Sequence, residues 1–504
     1  MILNVDQDLN RYYIQTLCMV FFPGATFGKD EERAEGVPEV SVSTFLDEGG
    51  DRVAYASIRL NDRLCEASVP VPKEDQVSIA TPTNLAIGRA IFAAGKELLG
   101  HIPPWGILTG VRPAKVAGSL LSDGRGIVKA KKILHDEFFL NPQKAALAVS
   151  VASTEHKLLK KMDKNTCSVY ISIPFCPSRC SYCSFVSYTT PRLLSMIDQY
   201  IDALLVEIDE NFRTINALGL RVNTVYIGGG TPTTLSPQQL VRIFERLEKH
   251  IDPFTLDEFT LEAGRPDTIT REKLATAKEH GVTRISVNPQ TLNDDILREI
   301  GRRHTTEDFY RAYELARESG IRDINVDLIA GLPGDDFKNF SETIDRILEL
   351  RPTNITVHTF CVKKASDALR NNSNIYSISG GDAGKCVSYS QLNTKFAGYK
   401  PYYMYRQKNT VGNLENVGYA LEGHEGLYNV YMMEEVQSIF AIGAGAVTKL
   451  VRKKDGGDYL IKRIFKPKYP YEYLREVEEG KQNRESLYDS ALDFFGIAKT
   501  EEEN

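Results

Sequence analysis

The fold of this chain is constrained most by a regular alternation of strand-like and helix-like segments between residues 168 and 359. Short runs rich in β-branched residues are each followed by a longer segment with helical spacing of apolar residues, such as 193–218 and 237–251. The strand-like runs are 168–173, 224–227, 258–262, 284–288, 323–328 and 354–359. Six repeated β/α units predict an α/β fold with a parallel sheet.

Three cysteines follow the first strand-like run at short intervals. Cys176, Cys180 and Cys183 are separated by three and two residues, on a loop that leaves the run 168–173. Thiolates are soft ligands that suit iron–sulfur clusters, and a [4Fe–4S] cluster has four irons to coordinate. A zinc site without its fourth ligand and ordinary buried thiols are alternatives. A disulfide framework is disfavoured in a chain of 504 residues without a secretory signal.

A glycine-rich turn closes the second strand-like run. It reads Gly228-Gly229-Gly230-Thr231-Pro232-Thr233. Without Cβ atoms, such a backbone can approach a ligand closely and offer it N–H and C=O groups. A glycine-rich turn alone is a weak signal, but its coincidence with the cysteine triplet is much more specific.

Together, these motifs resemble the radical S-adenosylmethionine (SAM) superfamily. More narrowly, they are similar to the oxygen-independent coproporphyrinogen III oxidase family, in its longer HemZ-like branch. The resemblance covers roughly residues 165–450. It implies a partial (β/α)6 radical SAM barrel over 165–360, with an N-terminal α+β and helical domain (1–164) and a C-terminal α+β extension (361–504) that covers the substrate.

The resemblance also implies the cofactors and their contacts. Cys176, Cys180 and Cys183 would hold a [4Fe–4S] cluster whose fourth iron binds SAM, which is cleaved to a 5′-deoxyadenosyl radical. The same resemblance makes the following residues contacts for one or two SAM molecules: Tyr170, Tyr182, Gly229, Gly230, Thr231, Glu262, Gln290, Arg302 and Asp327. Taken singly, each polar member of this set is more often a surface or salt-bridged residue.

The leading functional prediction is oxidative decarboxylation of coproporphyrinogen III to protoporphyrinogen IX in anaerobic haem biosynthesis. It requires a porphyrinogen substrate and an unidentified electron donor and acceptor. Founding members of the family carry a further cysteine two residues after the third ligand, where this chain has Phe185. A haem-binding chaperone of the same family, and a radical SAM methylase or ring-opening enzyme acting on haem, are the alternatives.

The chaperone branch carries a His-Asn pair followed by Tyr-Trp beyond the barrel. This chain reads Val-Gly-Asn-Leu-Glu-Asn over 411–416, so that histidine is absent. The histidines that remain as possible haem ligands are His304, His358 and His424. An unplaced histidine is more often structural.

A tetracarboxylate substrate needs cations, and several arginines on predicted loops are candidates: Arg179, Arg265, Arg303 and Arg406. The run 402–406, Tyr-Tyr-Met-Tyr-Arg, would suit either an apolar wall for a macrocycle or a plain half-buried strand. Trp105, the only tryptophan, and Arg112 belong either to a structural turn or to a pocket-closing segment.

Composition and charge limit the classes of binding partner and the cellular location that we expect. A net charge of −6 gives no case for nucleic-acid binding, and no apolar run approaches the length of a membrane span. Because the N-terminus lacks a signal-peptide pattern, we expect a cytoplasmic protein. The remaining cysteines are scattered, and most of them are predicted to be small core residues: Cys18, Cys65, Cys167, Cys361 and Cys386.

The segments that flank the β/α units are mixed. In the N-terminal part, 8–21 and 84–161 are helical in pattern, and 39–46, 52–60 and 64–71 are strand-like. After residue 361 we predict strands 399–405 and 459–465, helices 383–397 and 472–479, a glycine-rich loop 440–446, and a fraying acidic tail 499–504.

Overall fold

The computed structural model describes residues 1–27, 36–73, 81–110, 112–183, 187–361, 381–407, 410–454, 459–479 and 486–497. The predictions about Phe185 and the tail 499–504 lie outside these ranges. Among the described residues, the strands form one four-stranded and one eleven-stranded sheet.

The four-stranded sheet belongs to the N-terminal part and has the order β1-β2-β3-β4. Its strands and first helices are β1 (Ile2–Val5), α1 (Arg11–Phe21), β2 (Glu39–Leu46), β3 (Arg52–Leu60), β4 (Arg63–Pro70) and α2 (Pro82–Leu99). Helix α2 begins after Thr81, whose side chain accepts a hydrogen bond from the Asn84 N–H, and it packs on β3 and β4. The predicted strands 39–46 and 52–60 are confirmed, whereas β1 was not predicted.

Three further helices lead to the large sheet. They are α3 (Pro113–Ser122), α4 (Ile127–Asp136) and α5 (Pro142–Leu159). Helices α3 and α5 each begin with proline, which suits the first helical turn because its missing N–H would be unpaired there anyway.

The centre of the large sheet consists of the six predicted parallel strands. They are β5 (Thr166–Ile173), β6 (Arg221–Gly229), β7 (Glu258–Leu261), β8 (Arg284–Ser286), β9 (Asp323–Ala330) and β10 (Asn354–Thr359). The helices between them are α6 (Pro191–Leu194), α7 (Ile197–Ala217), α8 (Pro237–Glu248), α9 (Arg271–Glu279), α10 (Asp294–Glu299), α11 (Thr306–Glu318) and α12 (Phe337–Leu350). Each strand pairs in parallel with the next.

Alternation along these strands separates an apolar side from a polar side. On β5, Val169, Ile171 and Ile173 are buried in the hydrophobic core, whereas the Tyr170 ring stacks on Tyr226 of the neighbouring strand at a centroid distance of 6.0 Å. The polar sides of the strands face one another, because the Arg284 side chain on β8 donates hydrogen bonds to carboxylate or amide oxygens on three other strands. The sheet is therefore curved into the predicted partial barrel.

The C-terminal part extends the same sheet at both edges. Its elements are α13 (Gly381–Phe396), β11 (Lys400–Arg406), β12 (Glu415–Ala420), α14 (Leu427–Glu434), β13 (Ile439–Ile442), β14 (Val447–Lys453), β15 (Tyr459–Phe465), α15 (Pro470–Glu478) and α16 (Leu487–Phe495). The strand order is β11-β12-β10-β9-β8-β7-β6-β5-β13-β14-β15. Helices α3 and α5 pack on β11, so the N-terminal part covers one edge of the barrel sheet.

The prediction of a glycine-rich loop over 440–446 was wrong in its first half. Residues Ile439–Ile442 form β13, which pairs in parallel with β5 from Ser168 to Ile171. All four side chains of β13 are buried, and the glycines Gly443 and Gly445 follow only after the strand has ended. Burial between β5 and β14 stabilises a strand that is too short to recognise by its pattern.

In the part of the chain that the structure describes, no helix has the length and apolar character that a bilayer span requires.

Candidate active site at the barrel mouth

The cysteine loop leaves the carboxyl end of β5. Its start is held by two backbone hydrogen bonds, from Cys176 N to Tyr188 O (3.0 Å) and from Tyr188 N to Pro174 O (2.8 Å). A tight turn follows, in which Cys183 N donates to Cys180 O at 3.1 Å. Cys176 is buried, whereas Cys180 and Cys183 are partly exposed. The loop thus presents its three thiols at the end of the first barrel strand.

Each of the three sulfurs has a polar neighbour. The hydroxyl of Thr231 lies 3.2 Å from Cys176 Sγ, and the hydroxyl of Ser187 lies 4.0 Å from Cys183 Sγ. The guanidinium of Arg265 lies 3.7 Å from Cys180 Sγ. Burial raises the pKa of Cys176 to about 11, although the hydrogen bond with Thr231 lowers it.

The three thiols do not form a site for a single metal ion. Within the described ranges, no group of three His, Cys, Asp or Glu side chains is arranged to hold one metal ion. A cuboidal cluster binds each thiolate to a different iron, so its ligands need not converge on one point.

The glycine-rich turn lies directly against the cysteine loop. Gly230 N donates to Ile173 O and Thr231 N donates to Phe175 O, both at 2.8 Å. A Cβ atom on Gly230 would lie 2.6 Å from Phe175 O and 3.0 Å from Cys176 Sγ, so only glycine fits there. Gly229 has a φ of +109°, which other residues rarely adopt.

Glu262 follows β7 at the mouth of the barrel. Its N–H donates to Ile227 O at 2.9 Å, and its carboxylate accepts a hydrogen bond from the Tyr226 hydroxyl. The pKa of Glu262 is raised to about 7, mainly because the carboxyl group is buried. The hydrogen bond from Tyr226 lowers this pKa, whereas the nearby charge of Asp327 raises it. The carboxyl group therefore titrates near neutral pH.

Three tyrosines stack inside the barrel. The ring centroids of Tyr170 and Tyr226 are 6.0 Å apart, those of Tyr226 and Tyr428 4.6 Å, and those of Tyr170 and Tyr428 6.2 Å. The sequence reasoning named only Tyr170. Tyr226 could have been found from its place two residues before Gly228 on the same strand face, whereas no local signal marks Tyr428, which α14 inserts from the C-terminal part.

Asp327 lies on β9, three residues before the strand ends, among hydrogen-bond partners. Its two carboxylate oxygens accept from Asn288 Nδ2 at 2.8 Å and Asn325 Nδ2 at 2.7 Å. His358 Nε2 is 3.7 Å from Asp327 Oδ2, and the Tyr405 hydroxyl is 3.2 Å from His358 Nδ1. Burial raises the pKa of Asp327, but His358, Asn325 and Thr356 together outweigh this effect, and the pKa lies below its usual value.

Arg302 reaches the mouth from outside the strands. It follows α10, and its NH1 donates to Gly264 O and Asn288 O at 3.0 Å each. Its Nε and NH2 donate to the Tyr182 hydroxyl at 3.3 and 3.2 Å. The structure thus joins two predicted SAM contacts, Tyr182 and Arg302, that are far apart in the chain.

Gln290 has an unusual backbone and an unpaired side-chain oxygen. Its φ is +70°, and its N–H donates to Asp327 O at 3.1 Å. Gln290 Oε1 is buried without a hydrogen-bond partner among the described residues. Because buried amide oxygens are normally paired, this atom suits a bound polar ligand.

The opposite end of the barrel is closed by a buried ion-pair network. Arg284 donates to Glu258 and Asp323 carboxylates at 3.2 and 3.3 Å, and to the His424 carbonyl at 2.9 Å. The His424 ring bonds to Asp323 at 2.5 Å. His424 is therefore part of the barrel floor.

Comparison with known proteins agrees with this geometry. A sequence profile of the radical SAM superfamily matches residues 170–347. The oxygen-independent coproporphyrinogen-III oxidase-like protein HemZ of Bacillus subtilis is 37% identical over 383 residues, which is 75% of this chain and 76% of that protein. The chain belongs to the HemZ-like family of the radical SAM superfamily.

Two further similarities are relevant to this HemZ-like chain. The heme chaperone HemW of Bacillus subtilis is 38% identical over 197 residues, 39% of this chain and 51% of that protein. Coproporphyrinogen III oxidase HemN from Escherichia coli, a radical SAM enzyme, shares the fold with a TM-score of 0.50 and 23% identity, over 65% of this chain and 72% of HemN.

Members of the radical SAM superfamily bind a [4Fe–4S] cluster and SAM, and these are the cofactors of the HemZ-like chain. The residues at the mouth fit this pair. Three thiols lie on one loop against a glycine backbone, and Gln290 Oε1 is a buried acceptor without a protein partner among the described residues.

Two of the arginines that we considered for substrate carboxylates are engaged elsewhere. Arg406 is buried, donates to the Leu108 carbonyl, and lies 5.6 Å from the centroid of the Trp105 ring. Arg265 is buried beside Cys180 and pairs with Asp267. The prediction was wrong for both, because the sequence shows the charge of a side chain and not what surrounds it.

The remaining two arginines line a cavity of about 750 Å³ beside the cysteine loop. Arg179 and Arg303 are exposed there and form no ion pair with any described residue. Arg298 lines the same cavity and pairs with Asp295. Arg179 and Arg303 are therefore available to an anionic ligand.

The turn that contains Trp105 is structural. The Trp105 ring is buried, and Arg112 donates to the Met433 carbonyl and to Glu435 Oε2 at 2.8 Å. In the run 402–406, only Tyr405 is partly exposed, and it contacts His358 at the barrel mouth. The run is mainly a buried strand with one aromatic residue at the site.

Proposed function

We propose that this HemZ-like chain oxidatively decarboxylates two propionate groups of coproporphyrinogen III to vinyl groups, yielding protoporphyrinogen IX and CO₂ in anaerobic porphyrin biosynthesis. Each propionate loses one hydrogen atom from its β-carbon, one CO₂ and one further electron. The reaction thus needs an electron donor for the cluster and an acceptor for the electron that the substrate releases.

The residues at the barrel mouth divide into two proposed roles. Cys176, Cys180 and Cys183 would hold the cluster. The predicted SAM contacts would bind and orient SAM: Tyr170, Tyr182, Gly229, Gly230, Thr231, Glu262, Gln290, Arg302 and Asp327. When bound, the cluster and SAM supply the one-electron chemistry that removes a hydrogen atom from the substrate. The stacked tyrosines and the closed floor around Arg284 keep bulk water out of the barrel.

The observation that carries the proposal is the placement of Arg179 and Arg303 at a cavity beside the cysteine loop. Guanidinium groups bind carboxylates in a bidentate manner, and coproporphyrinogen III is a tetracarboxylate. The similarity to a coproporphyrinogen-III oxidase-like protein over three quarters of both chains supports the same substrate class. Residues 361–504 would contribute the cover over the substrate.

A haem chaperone is the second candidate, because HemW is among the relatives. It would need an axial ligand for haem iron. His358 and His424 each have one ring nitrogen, Nδ1, bonded to Tyr405 and Asp323. His304 is buried and lines the cavity beside the cysteine loop, so it is the histidine that the chaperone would use.

None of the eight cysteines, all within the described residues, forms a disulfide bond. This is usual in the reducing cytoplasm, where we propose that the reaction occurs.

The test is an anaerobic incubation of the iron-reconstituted full chain with SAM, a reductant, an electron acceptor and coproporphyrinogen III. We expect protoporphyrinogen IX, CO₂ and 5′-deoxyadenosine, measured by chromatography. Stoichiometric haem binding without turnover of coproporphyrinogen III would instead support the chaperone. Consumption of SAM with haem as the only substrate modified would support a methylase or ring-opening enzyme.

A further inference from the structure

The side chain of Arg265 is directed at the cysteine loop from beyond the end of β7, which is separated from β5 by β6. Arg265 lies three residues after Glu262 and is only 3% exposed. Its NH1 is 3.7 Å from Cys180 Sγ and 3.4 Å from Ser178 O, and its NH2 is 3.0 Å from Ser178 Oγ. A buried guanidinium thus contacts both the backbone and a sulfur of the loop.

Asp267 holds this guanidinium in place. Arg265 Nε donates to Asp267 Oδ1 at 3.0 Å, and its NH2 donates to Oδ2 at 3.2 Å. A two-point contact of this kind fixes the plane of the guanidinium. The intervening Pro266 begins a short 3₁₀ turn, in which Thr268 Oγ1 donates to the Arg265 carbonyl at 2.8 Å. These contacts therefore orient the NH1 group towards Cys180.

Cys180 has a charged hydrogen-bond donor in addition to a neutral one. Cys176 and Cys183 have the neutral hydroxyls of Thr231 and Ser187 beside them, whereas Cys180 has the cation Arg265 in addition to the neutral hydroxyl of Tyr182. Reduction adds negative charge to an iron–sulfur cluster, and hydrogen bonds to its sulfurs raise the reduction potential. Because charge-assisted hydrogen bonds are about twice as strong as neutral ones, Arg265 should have the larger effect.

We propose that Arg265 donates a hydrogen bond to the Cys180 thiolate and thereby raises the reduction potential of the cluster. Arg265 would favour transfer of the electron from the external donor to the cluster, and Asp267 would position the Arg265 guanidinium. This inference rests on the proposed ligation of the cluster by Cys180. It does not depend on the porphyrinogen substrate, so it can fail or hold independently of the decarboxylase proposal.

The test compares Arg265→Gln with the unchanged chain, both as full-length, iron-reconstituted protein without SAM or porphyrinogen. The midpoint potential is measured by redox titration followed by electron paramagnetic resonance. We expect the equilibrium constant for reduction to fall about tenfold, the size of effect expected for one lost charge-assisted hydrogen bond. For a one-electron couple, this is a shift of about 59 mV to more negative potential.

Two matched variants separate the hydrogen bond to sulfur from other effects. Ser178→Ala removes a contact between Arg265 and the loop but leaves NH1 beside Cys180, so the midpoint should stay unchanged. Arg298→Gln removes an exposed charge from the cavity beside the loop, and solvent screening should keep the midpoint unchanged. A shift in Arg298→Gln as large as that in Arg265→Gln would overturn the proposal in favour of a general charge effect.

The alternative role for Arg265 is to brace the loop. In that case Arg265→Gln lowers the iron content while the clusters that remain keep the unchanged midpoint, and the proposal is wrong. If the Arg265→Gln protein holds no cluster, Arg265→Lys is measured instead, because lysine retains the charge without the bidentate contact to Asp267. The proposal then requires a more negative midpoint in Arg265→Lys, and an unchanged midpoint refutes it.

Discussion

The indole Nε1 of Trp105 donates a hydrogen bond of 2.8 Å to Glu415 Oε2. Lys144 from α5 pairs with the other oxygen of the same carboxylate. Glu415 is fully buried at the start of β12, a strand of the barrel sheet. Two residues of the N-terminal part therefore satisfy a buried charge in the barrel sheet, so this part contributes to the stability of the barrel.

Removing either partner of Glu415 should destabilise the fold. Lys144→Met leaves a buried carboxylate without its cation, which we expect to lower the free energy of unfolding by about 3–5 kcal/mol. Trp105→Phe removes one hydrogen bond and should cost about 1–3 kcal/mol. Chemical denaturation measures both, with the exposed Lys129→Met as a control that should change stability by less than about 0.5 kcal/mol. Equal effects of Lys144→Met and Lys129→Met would contradict this role of Glu415.

Each cysteine of the loop should be needed for the cluster. We expect single changes of Cys176, Cys180 or Cys183 to alanine to abolish most of the bound iron and its visible absorbance, because each thiolate binds a different iron. Cys386→Ala, in α13, is the control and should keep both. A triple alanine variant that retained the cuboidal-cluster spectrum would refute the assignment.

Gly230→Ala should displace the cysteine loop. The new Cβ would lie 2.6 Å from Phe175 O and 3.0 Å from Cys176 Sγ, and overpacking of this kind costs about 1–3 kcal/mol. We expect lower iron content and weaker SAM binding. Gly126→Ala is the control, because no atom lies within 4 Å of the position that its Cβ would take. Unchanged SAM affinity in Gly230→Ala would contradict the close approach.

Binding of SAM should depend on pH through Glu262. Because its pKa is about 7, Glu262 becomes protonated as the pH falls below 7. Protonation removes the carboxylate that can accept hydrogen bonds from SAM. The dissociation constant for SAM should then rise about tenfold per pH unit well below the pKa. Titrations of anaerobic protein with SAM at several pH values measure this dependence.

Two variants of the Glu262 pair provide the controls. Glu262→Gln should remove the pH dependence. Tyr226→Phe removes a hydrogen bond that lowers the pKa of Glu262, so it should move the transition to higher pH. Identical pH profiles in all three proteins would show that another group is responsible.

Arg179 and Arg303 should affect the substrate and not SAM. Changing either to glutamine removes one guanidinium from the cavity beside the loop, and we expect KM for coproporphyrinogen III to rise about tenfold, which corresponds to about 1.4 kcal/mol. Arg298→Gln is the control, since Arg298 already pairs with Asp295. Steady-state kinetics and SAM titrations separate the two effects. An altered SAM affinity with unchanged KM would show that these arginines act on SAM binding and not on substrate binding.

Elements with a clear local period were predictable from the sequence. The strands β2 and β3 agree with prediction to the residue, because alternation and flanking turns mark both ends. The four-residue strand β13 was missed, since its pattern is short and the glycines Gly443 and Gly445 dominate the window around it. β13 forms a strand because it is buried beside β5, which is distant in the sequence.

The candidate site was predictable in its motifs but not in its contacts. The cysteine triplet and the glycine-rich turn are local spacings, and the structure places them against each other. Asn288 was missed as a partner of Asp327, although it lies only two residues before the predicted contact Gln290 in the segment that follows β8. Arg265 was assigned to the substrate because nothing in its local sequence indicates Cys180, 85 residues away.

The β/α units, the three-cysteine loop and the glycine-rich turn are properties of neighbouring residues, so spacing and periodicity suffice to identify them. The resemblance of these motifs to the radical SAM superfamily then implied the cofactors. Long-range packing, in contrast, brings Tyr428 into the tyrosine stack, directs Arg265 towards a cysteine and places Trp105 beside Glu415. Such contacts join residues far apart in the chain, and they form because buried polar and aromatic groups must find partners once the whole chain has folded.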